Sequence, residues 1–492
     1  MRLSELLNNA KVIQVFGNAE TKDISKISID SRSVTKNSLF FAVEGFKSDG
    51  HLFIADAINN GAAAVVLQKE NAVPDQLFSH TGCIKILVEN SRRSLAEFAH
   101  LFYSEPSKKL NLIGITGTKG KSTTAFYVKN IFQKAGFNTG LIGTVANYIN
   151  DREIKSSLTT PESNEINSLL SQMVNENCVN CVMEVSSHAL SLHRVDYLNF
   201  NTGIFTNITS DHMDFHKSFE NYFNAKKILF DKINSDGKII LNIDDANTKA
   251  IGKDSKAIKF YYGTNNNADF KISNIQFSLE GTKFDLSWKD KIYHITTSLI
   301  GHFNSYNSTA AFASAVINGV DPQVAAEGIE STVYVPGRFE IISSKDKKVI
   351  IDFAHTADSL KQALEAVHHL TKNERPIYVV FGCGGERDRL KRPIMGEIAS
   401  TMCDRVYISS DNPRNEDQLQ IIDEILKGIK TNNYSVIEDR EEAIRTAIFE
   451  SEDNAVILLA GKGHENYQEL NGIRKQFSDK VIAQKYLDEW AK

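Results

Sequence analysis

Short apolar runs alternate with longer helical patterns along almost the whole chain of 492 residues. The runs have the length of buried strands, and polar or glycine-containing turns bound them. Strands that alternate with helices predict parallel sheets joined by crossover helices. The predicted strands are residues 62–67, 110–116, 179–185, 203–206, 238–242, 348–353, 377–382, 405–409 and 455–460.

Two interruptions divide this pattern into three parts. Ser104–Lys109 is polar and indicates a linker, and a Pro-Gly pair punctuates Tyr334–Arg338. At roughly 100–200 residues per domain, a chain of this length predicts about three domains. We therefore predict domains at residues 1–108, 109–335 and 336–492.

Bulk composition limits the classes of function. Apolar residues make up 41% of the chain, charged residues 24%, and the net charge of −5 gives no reason to expect a nucleic-acid partner. No apolar run approaches the ~18 residues of a membrane span, so no membrane insertion is expected. The N-terminus lacks the apolar centre of a signal peptide. The five cysteines, an odd number, favour a reducing, cytoplasmic location, and Cys178 and Cys181 are expected to be buried, inert thiols.

The segment Gly114–Thr123 follows a predicted strand and opens a predicted helix. Backbone N–H groups in such a loop, together with the positive end of the helix, bind phosphate oxygens. Lys121 can reach the terminal phosphates, and Ser122 can ligate Mg²⁺. A tight turn without a ligand is the alternative, but the Gly-Lys-Ser step favours nucleotide binding. The residues predicted to contact ATP here are Gly117, Thr118, Lys119, Gly120, Lys121, Ser122 and Thr123.

Three polar groups elsewhere in the middle of the chain are candidate ligands. Glu184 lies at the end of a predicted strand, where a carboxylate beside a phosphate loop is well placed for Mg²⁺. The Asp and His residues of Asn207–His216 could form a metal site or a solvated loop, and their spacing leaves both open. Asn304 and Asn307 open an alanine-rich helix, where they could cap the helix or face a ligand.

Three predicted strands in the last third end in loops that carry charge, namely Gly384–Asp388, Asp411–Arg414 and Gly461–Glu465. In open parallel sheets, ligands bind outside the carboxyl ends of the strands. Arginine pairs with carboxylates and glutamate with ammonium groups, so these loops suit a zwitterion, although each alone could be a solvated turn. The predicted fold class is α/β in three domains, with a central P-loop-type ATP-binding parallel sheet and a C-terminal, Rossmann-like doubly wound sheet.

Taken together, motifs from all three predicted domains resemble the Mur ligase family. They are Asp30-Ser31-Arg32, Leu39–Ala42 and Gly45–His51 in the first domain; Gly117–Thr123, Thr159–Glu162, Glu184–Leu190 with Arg194, and Asp211-His212 in the second; and Gly337–Glu340, Asp352–Thr356 and Gly461–Glu465 in the third. The family usually has tyrosine and proline where this chain has Phe353 and Ala357.

This resemblance implies an ATP-dependent amide ligase of peptidoglycan biosynthesis. The tetrad Asp411–Arg414 resembles that of members that add meso-2,6-diaminopimelate to UDP-N-acetylmuramoyl-L-alanyl-D-glutamate through an acyl phosphate. Diaminopimelate carries a second carboxylate where lysine has only hydrogen, and a bidentate Arg414 would recognise it. A lysine-adding ligase, a folate or cyanophycin-type ligase, and a nucleotide-binding regulatory protein without catalysis are the alternatives.

The resemblance also implies ATP and Mg²⁺ as cofactors, a monomer, and a role for each domain. Residues 1–108 would bind the UDP-sugar, 109–335 ATP and 336–492 the amino acid. Catalytic roles are implied for Lys121, Glu184, His212 and Lys226, and metal binding for Ser122, Glu184, His212 and a carbamylated Lys226. Asn304, Arg338 and Asp352 would lie near the base or ribose of ATP. The UDP-substrate would contact Ser31, Thr159, Thr160, Ser186 and Arg194, and diaminopimelate would contact Arg387, Asp411, Asn412, Pro413, Arg414, Gly461 and Glu465.

Overall fold

The computed structural model describes residues 1–45, 48–278, 280–372 and 374–492. Phe46 and Lys47, within the predicted uridine-binding segment Gly45–His51, lie outside the described residues. Over the described residues the strands form sheets of five, eleven and six strands and a two-stranded hairpin.

The first sheet has the strand order β1-β5-β4-β3-β2, and its strands are parallel except for β1. Alternate residues of β3 enter two different cores, with Leu39 and Phe41 on one face and Phe40 on the other, where Ala42, just after the strand, joins it. Two buried faces explain why this strand is continuously apolar. Its elements are α1 (Leu3–Asn9), β1 (Gln14–Phe16), β2 (Lys26–Ser28), β3 (Ser38–Phe41), α2 (Ile54–Asn59), β4 (Ala62–Leu67), α3 (Asp75–Thr81), β5 (Ile84–Leu87) and α4 (Ser91–Phe102).

The central sheet has the order β16-β15-β14-β13-β12-β11-β6-β10-β7-β8-β9. Helices cover both faces of its parallel middle, so residues such as Leu112 and Ile113 enter opposite cores. Its elements are β6 (Asn111–Thr116), α5 (Lys121–Lys134), β7 (Thr139–Ile142), β8 (Asn147–Ile149), β9 (Arg152–Ile154), α6 (Ser163–Asn175), β10 (Asn180–Glu184), α7 (Ser187–Ser191), β11 (Thr202–Phe205), α8 (Met213–His216), α9 (Phe219–Asp231), β12 (Lys238–Asn242), α10 (Thr248–Ile251), β13 (Ile258–Gly263), β14 (Phe270–Ser278), β15 (Gly281–Trp288), β16 (Lys291–Thr297), α11 (His302–Ile317) and α12 (Pro322–Glu330).

The third sheet has the order β17-β18-β22-β19-β20-β21, with β17 antiparallel at one edge. Its two faces bury separate cores, one under α13, α14 and α15 and one under α16 and α17, as in a doubly wound fold. Its elements are β17 (Glu340–Ser344), β18 (Lys347–Asp352), α13 (Ala357–Thr371), β19 (Ile377–Phe381), α14 (Lys391–Met402), β20 (Arg405–Ile408), α15 (Gln418–Leu426), β21 (Tyr434–Val436), α16 (Arg440–Glu450), β22 (Val456–Ala460), β23 (Tyr467–Leu470), β24 (Ile473–Gln476) and α17 (Asp479–Trp490).

The predicted strands are present, and each end agrees with the observed one within one residue. The antiparallel strands β14, β15 and β16 were not predicted. Residues along these strands tend to alternate between more and less buried positions, because one face of the strands packs on a core of the central sheet and the other face is more exposed. Among the described residues, no helix is both long and apolar enough to span a membrane.

Candidate functional site

The phosphate loop lies between β6 and α5 and is pressed against its neighbours. Gly117 and Gly120 have φ angles of 154° and 84°, which favour glycine. A Cβ on Gly117 would lie 1.9 Å from Thr206 Oγ1, and one on Gly120 would lie 2.4 Å from Asn307 Oδ1. The loop therefore needs glycine at both positions. The N–H groups of Thr118 and Lys119 donate to Asn207, at 2.8 and 3.0 Å, and the loop leads directly into the N-terminus of α5.

Two lysine side chains converge on this loop. Lys121 Nζ donates to the carbonyl oxygens of Gly117 and Thr118, both at 2.9 Å, and Lys226 Nζ donates to the same Gly117 oxygen at 2.8 Å. Burial lowers the pKa of both amines, and the positive charge of Lys121 lowers the pKa of Lys226 further. An anion bound here would stabilise both charges, so the geometry suits a phosphate.

Oxygen ligands suited to Mg²⁺ surround Ser122. Its Oγ donates to Glu184 Oε2 at 2.9 Å, and Thr144 donates to the same carboxylate from its N–H at 2.8 Å and its Oγ1 at 3.0 Å. The Glu184 side chain is buried, at the end of β10. The hydroxyls and carboxylate fit a magnesium ion that also contacts phosphate.

Three histidines lie beside the two lysines. The ring of His188 lies 4.8 Å from that of His212 and 5.5 Å from that of His216. Burial lowers the pKa of each to about 4, so the rings are neutral near pH 7. His212 keeps 44% of its side chain exposed to the open cleft. A neutral imidazole can bind a metal ion through its lone pair.

The family resemblance also implies a second ion, near His212 and Lys226, and its site is less complete. The described part of the chain contains no group of three or more His, Cys, Asp or Glu side chains arranged to hold an ion. His212 fits as a ligand, but the Lys226 amine is a hydrogen-bond donor and would bind a cation only as a carbamate. The residues present therefore fit the first ion better than the second.

Residues predicted to contact the sugar-peptide lie next to Glu184. Thr160 Oγ1 donates to the Glu184 carbonyl at 2.8 Å and contacts Ser186 Oγ at 3.2 Å, while Thr159 Oγ1 accepts from Thr144 Oγ1 at 3.1 Å. Arg194 Nη1 donates to the Thr160 carbonyl at 3.0 Å.

Glu162 connects these residues to helix α4, which packs on the first sheet. It forms an ion pair with Arg194 at 2.7 Å and lies 3.8 Å from Arg92 on α4. Ser31 is separate from this group. It is buried in the first part of the chain, where its carbonyl accepts a hydrogen bond from Asn60 Nδ2 at 3.0 Å.

The C-terminal part reaches the phosphate loop through Arg338. Its Nη2 donates to Ser122 Oγ at 3.2 Å, and its guanidinium lies 4.9 Å from the centre of the Phe353 ring. Asp352 Oδ2 accepts the Phe339 N–H at 2.8 Å, and burial raises the Asp352 pKa despite the nearby Arg338 charge. Phenylalanine at position 353 therefore provides the face on which this arginine stacks.

Asn304 and Asn307 lie near one another at the start of α11. Asn307 Nδ2 donates to Asn304 Oδ1 at 3.0 Å, and Asn304 Nδ2 donates to the Ile300 carbonyl at 2.8 Å. Neither side chain caps the helix. Because Asn307 Oδ1 lies against Gly120, the pair abuts the phosphate loop.

A second cluster of charge lies where β20 and β22 end. Asn412 Nδ2 donates to Glu465 Oε2 at 2.8 Å, and the buried Lys462 Nζ donates to Glu465 Oε2 at 3.1 Å and Asn412 Oδ1 at 3.2 Å. Asp411 is 3.8 Å from Lys462 Nζ. Burial raises the Glu465 pKa, although the Lys462 charge opposes this. Gly461 has a φ of 115°, and a Cβ there would lie 2.6 Å from Asp411 Oδ2.

Two arginines border this cluster. Arg414 Nη1 donates to the Gly385 carbonyl at 2.6 Å, and Arg414 is partly buried with a φ of 55°. Burial lowers the pKa of Arg387, and the nearby Arg414 charge lowers it further, whereas Asp214 and Glu465 raise it. The Pro413 carbonyl lies against Gly385, in the loop that carries Arg387. A Cβ on Gly385 would lie only 1.9 Å from the Pro413 carbonyl oxygen.

Sequence reasoning missed several residues that shape the site. Thr144 and Lys462 contact predicted residues directly, and Glu416 joins two of the predicted loops. Lys462 stands inside a predicted motif, so its charge could have been noticed. Thr144 has no such signal, because it lies in a turn 40 residues before Glu184.

Comparison with known proteins decides the family. The Mur ligase family catalytic domain matches residues 23–103, the Mur ligase middle domain residues 115–315 and the Mur ligase glutamate ligase domain residues 337–463. A Clostridium acetobutylicum protein named UDP-N-acetylmuramoyl-L-alanyl-D-glutamate--2,6-diaminopimelate ligase 1 is 42% identical over 99% of this chain and 100% of its own. The chain belongs to the Mur ligase family.

Solved Mur ligases share the fold. A UDP-N-acetylmuramoyl-L-alanyl-D-glutamate--2,6-diaminopimelate ligase aligns with a TM-score of 0.69 and 28% identity, covering 99% of each chain. The MurF ligase of Thermotoga maritima, solved in complex with ADP, aligns with a TM-score of 0.64 and 17% identity, covering 95% of this chain and 97% of its own. This second likeness concerns the fold alone.

Proposed function

We propose that this Mur ligase joins meso-2,6-diaminopimelate to UDP-N-acetylmuramoyl-L-alanyl-D-glutamate with hydrolysis of ATP to ADP and phosphate. The observation that carries the proposal is the position of Arg414 beside Arg387 and close to the Glu465 cluster. Two guanidinium groups next to a carboxylate complement an amino acid with two acidic ends. Relatives that share this chain's full length carry the corresponding name.

In the proposed reaction, the D-glutamate side-chain carboxylate attacks the γ-phosphate of ATP, and ADP leaves. Lys121, Lys226 and the N-terminus of α5 stabilise the negative charge on the phosphate oxygens. Mg²⁺ bound by Ser122 and Glu184 would neutralise further phosphate charge. Thr159, Thr160, Ser186 and Arg194 are proposed to hold the peptide so that its carboxylate faces the γ-phosphate.

The second step forms the amide. The amino group of diaminopimelate attacks the acyl carbon, the bond from that carbon to the phosphate oxygen breaks, and a proton leaves the nitrogen. We propose that Asp411, Asn412 and Glu465 bind ammonium groups, with Gly461 allowing the close approach. Arg387 and Arg414 bind carboxylates. Positioning of both reactants supplies much of the rate, since no covalent bond to the protein is needed.

Other parts of the proposal concern the molecule as a whole. We propose domains at 1–108, 109–335 and 336–492, which is supported because each large sheet draws its strands from one range. Ser31 would lie on the uridine side, and Asn304, Arg338 and Asp352 near the base or ribose. We also infer a monomer in the cytoplasm, where ATP is available.

An amino-acid panel tests the function. Purified protein with ATP, Mg²⁺ and the UDP-dipeptide should release phosphate with meso-diaminopimelate and hardly at all with L-lysine. A lysine bound next to Arg414 would leave this partly buried guanidinium without a carboxylate partner, a penalty of about 1–3 kcal/mol. Equal turnover with lysine would overturn the substrate assignment. Lys121→Ala serves as the control, because it should abolish phosphate release with every amino acid if the protein is an enzyme.

A further inference from the structure

Several hydrogen bonds join the loops that carry Arg387 and Arg414. The Gly385 N–H donates to the Asn412 carbonyl at 2.9 Å and Arg414 Nη1 donates to the Gly385 carbonyl at 2.6 Å, and a third link runs through the carboxylate of Glu416. The first loop follows β19 and the second loop follows β20, and their backbones touch where Gly385 meets the Pro413 carbonyl. Glu416 Oε1 accepts the N–H of Glu386, which immediately precedes Arg387. Glu416 itself stands two residues after Arg414. The side chain thus connects the two arginine-bearing loops.

A buried arginine fixes the other side of this carboxylate. Arg392, in the first turn of α14, is fully buried and donates to Glu416 Oε2 at 3.0 Å and Oε1 at 3.2 Å. It also donates to the Gly384 carbonyl at 3.2 Å and to Glu424 Oε2 on α15 at 2.8 Å. Arg389 donates to Glu416 Oε2 at 2.9 Å. Burial would raise the Glu416 pKa, but hydrogen bonds from Arg392 and Arg389 lower it to about 2.

Arg387 and Arg414 both lie against Gly384: a Cβ there would be 3.0 Å from Arg414 Nη1 and 3.7 Å from Arg387 Cγ. Two like charges this close repel each other, so their spacing depends on the contacts that hold the loops. A carboxylate is recognised by the fork geometry of a guanidinium only when the fork is held in place. A weaker second connection exists in the exposed Asn415, whose Nδ2 donates to Glu386 Oε1 at 2.6 Å.

We propose that Glu416 is a positioning residue for amino-acid selection, which sets the spacing of Arg387 and Arg414 without touching the amino acid. This inference rests on the proposed function. Its carboxylate binds the Glu386 N–H, next to Arg387, and the Arg392 guanidinium. Its loss removes the restraint on the Arg387 end of the first loop, while the Gly385–Asn412 backbone bond continues to join the loops. The phosphate loop and the peptide-binding threonines have no part in this connection.

Steady-state kinetics of Glu416→Gln test the proposal. The substitution keeps the shape and removes the charge. The KM for diaminopimelate should rise, by up to about 100-fold, because misplacement of a contact by about 1 Å can cost a factor of that order. The KM values for ATP and the UDP-dipeptide should stay at the wild-type level, and the preference for diaminopimelate over lysine should fall. A purely structural role would instead reduce kcat and raise all three KM values together.

Glu424→Gln is the matched control. It removes the other carboxylate on Arg392 but leaves the Glu386 connection intact, so the diaminopimelate KM should remain unchanged. If Glu424→Gln acts like Glu416→Gln, the charge balance around Arg392 is the cause and the proposal fails. If Glu416→Gln does not fold, Asn415→Ala removes the second connection between the same two loops, which also restrains Glu386, at an exposed position. It should raise only the diaminopimelate KM, by a smaller factor, and an unchanged KM in Asn415→Ala then counts against the proposal.

The two proposals fail in different ways. If the wild-type protein does not use diaminopimelate, the proposed function is wrong. If the wild type uses it and Glu416→Gln has the wild-type KM, the function stands and only the positioning role is overturned.

Discussion

Lys121 and Lys226 are the residues on which the proposed reaction depends most. Both amines donate to the Gly117 carbonyl, and burial lowers the pKa of both. The glycine loop predicted the phosphate-binding role of Lys121 from the sequence. The role of Lys226 was implied only by the family resemblance, because a lysine inside a helix has no distinctive pattern. Thr144 could not be predicted at all, since its contact with Glu184 exists only after folding.

The lowered pKa of Lys226 leads to a prediction about its chemistry. A neutral amine can attack CO₂ to form a carbamate and release a proton, so this lysine should be carbamylated at neutral pH. Lys226→Ala should lower kcat by about 100-fold or more, as expected when a charge-stabilising group is removed. Lys226→Arg should not restore activity, because a guanidinium does not form this carbamate.

Carbon-13 NMR of protein equilibrated with labelled bicarbonate should show a carbamate signal that disappears in Lys226→Ala. The neighbouring Lys227 is the control: it pairs with Asp231 at 2.6 Å and Asp254 at 2.7 Å. Lys227→Ala should keep both the signal and the activity. A wild-type spectrum without the signal would show that the amine remains unmodified.

At the level of elements, the sequence predicted nine strands that take part in parallel pairing, because two buried faces make them continuously apolar. It did not predict other parallel strands, among them β3, β5, β7, β13 and β21. It did not predict β14–β16, where apolar and polar residues alternate and no long apolar run exists. The apolar residues of Gly281–Trp288 recur with a period of two, which is the signal of a strand with one buried face and differs from a continuous apolar run. The loops of the site were predicted because ligands gather at strand ends, but their mutual contacts depend on packing that a sequence does not display.

Helices α16 and α17 offer a prediction about stability. Arg440 and Asp479 are fully buried and form two hydrogen bonds of 2.8 Å, while Arg440 Nη2 donates to the Ala460 carbonyl just before Gly461. Asp479→Ala leaves a buried guanidinium unpaired. It should lower the free energy of unfolding by about 3–5 kcal/mol, measured by urea denaturation.

The control lies on the same two helices. Lys485 on α17 pairs with Glu441 on α16 at 3.0 Å, but both side chains are largely exposed. Lys485→Ala should cost about 0–1 kcal/mol, because water screens the pair. Equal effects of the two substitutions would mean that burial of the Arg440 pair does not determine its contribution.

At the scale of the whole molecule, parts of the chain far apart in sequence meet at one loop. Glu162 links the central part to Arg92 of the first, and Arg338 links the C-terminal part to Ser122. A reaction between three bound molecules needs all three parts in contact, but substrates must also enter. The contacts between the parts are partly polar and partly apolar, since the Phe277 ring also stacks on that of His369 with 4.1 Å between ring centres. We expect the molecule to close on its substrates and open again by rearranging these contacts.

The ion pair between Lys119 of the phosphate loop and Asp358 at the start of α13 should favour the closed arrangement. Both side chains remain partly exposed, so the pair contributes about 0–1 kcal/mol, enough to shift an open–closed equilibrium up to about five-fold. Asp358→Asn should therefore increase the radius of gyration of the free protein in small-angle X-ray scattering. With an ATP analogue and the UDP-dipeptide, variant and wild type should reach the same compact value, because bound ligands supply further contacts. Lys361→Ala, which removes an exposed pair within α13, should scatter like the wild type. Identical curves for Asp358→Asn and wild type without ligands would mean that this pair does not influence closure.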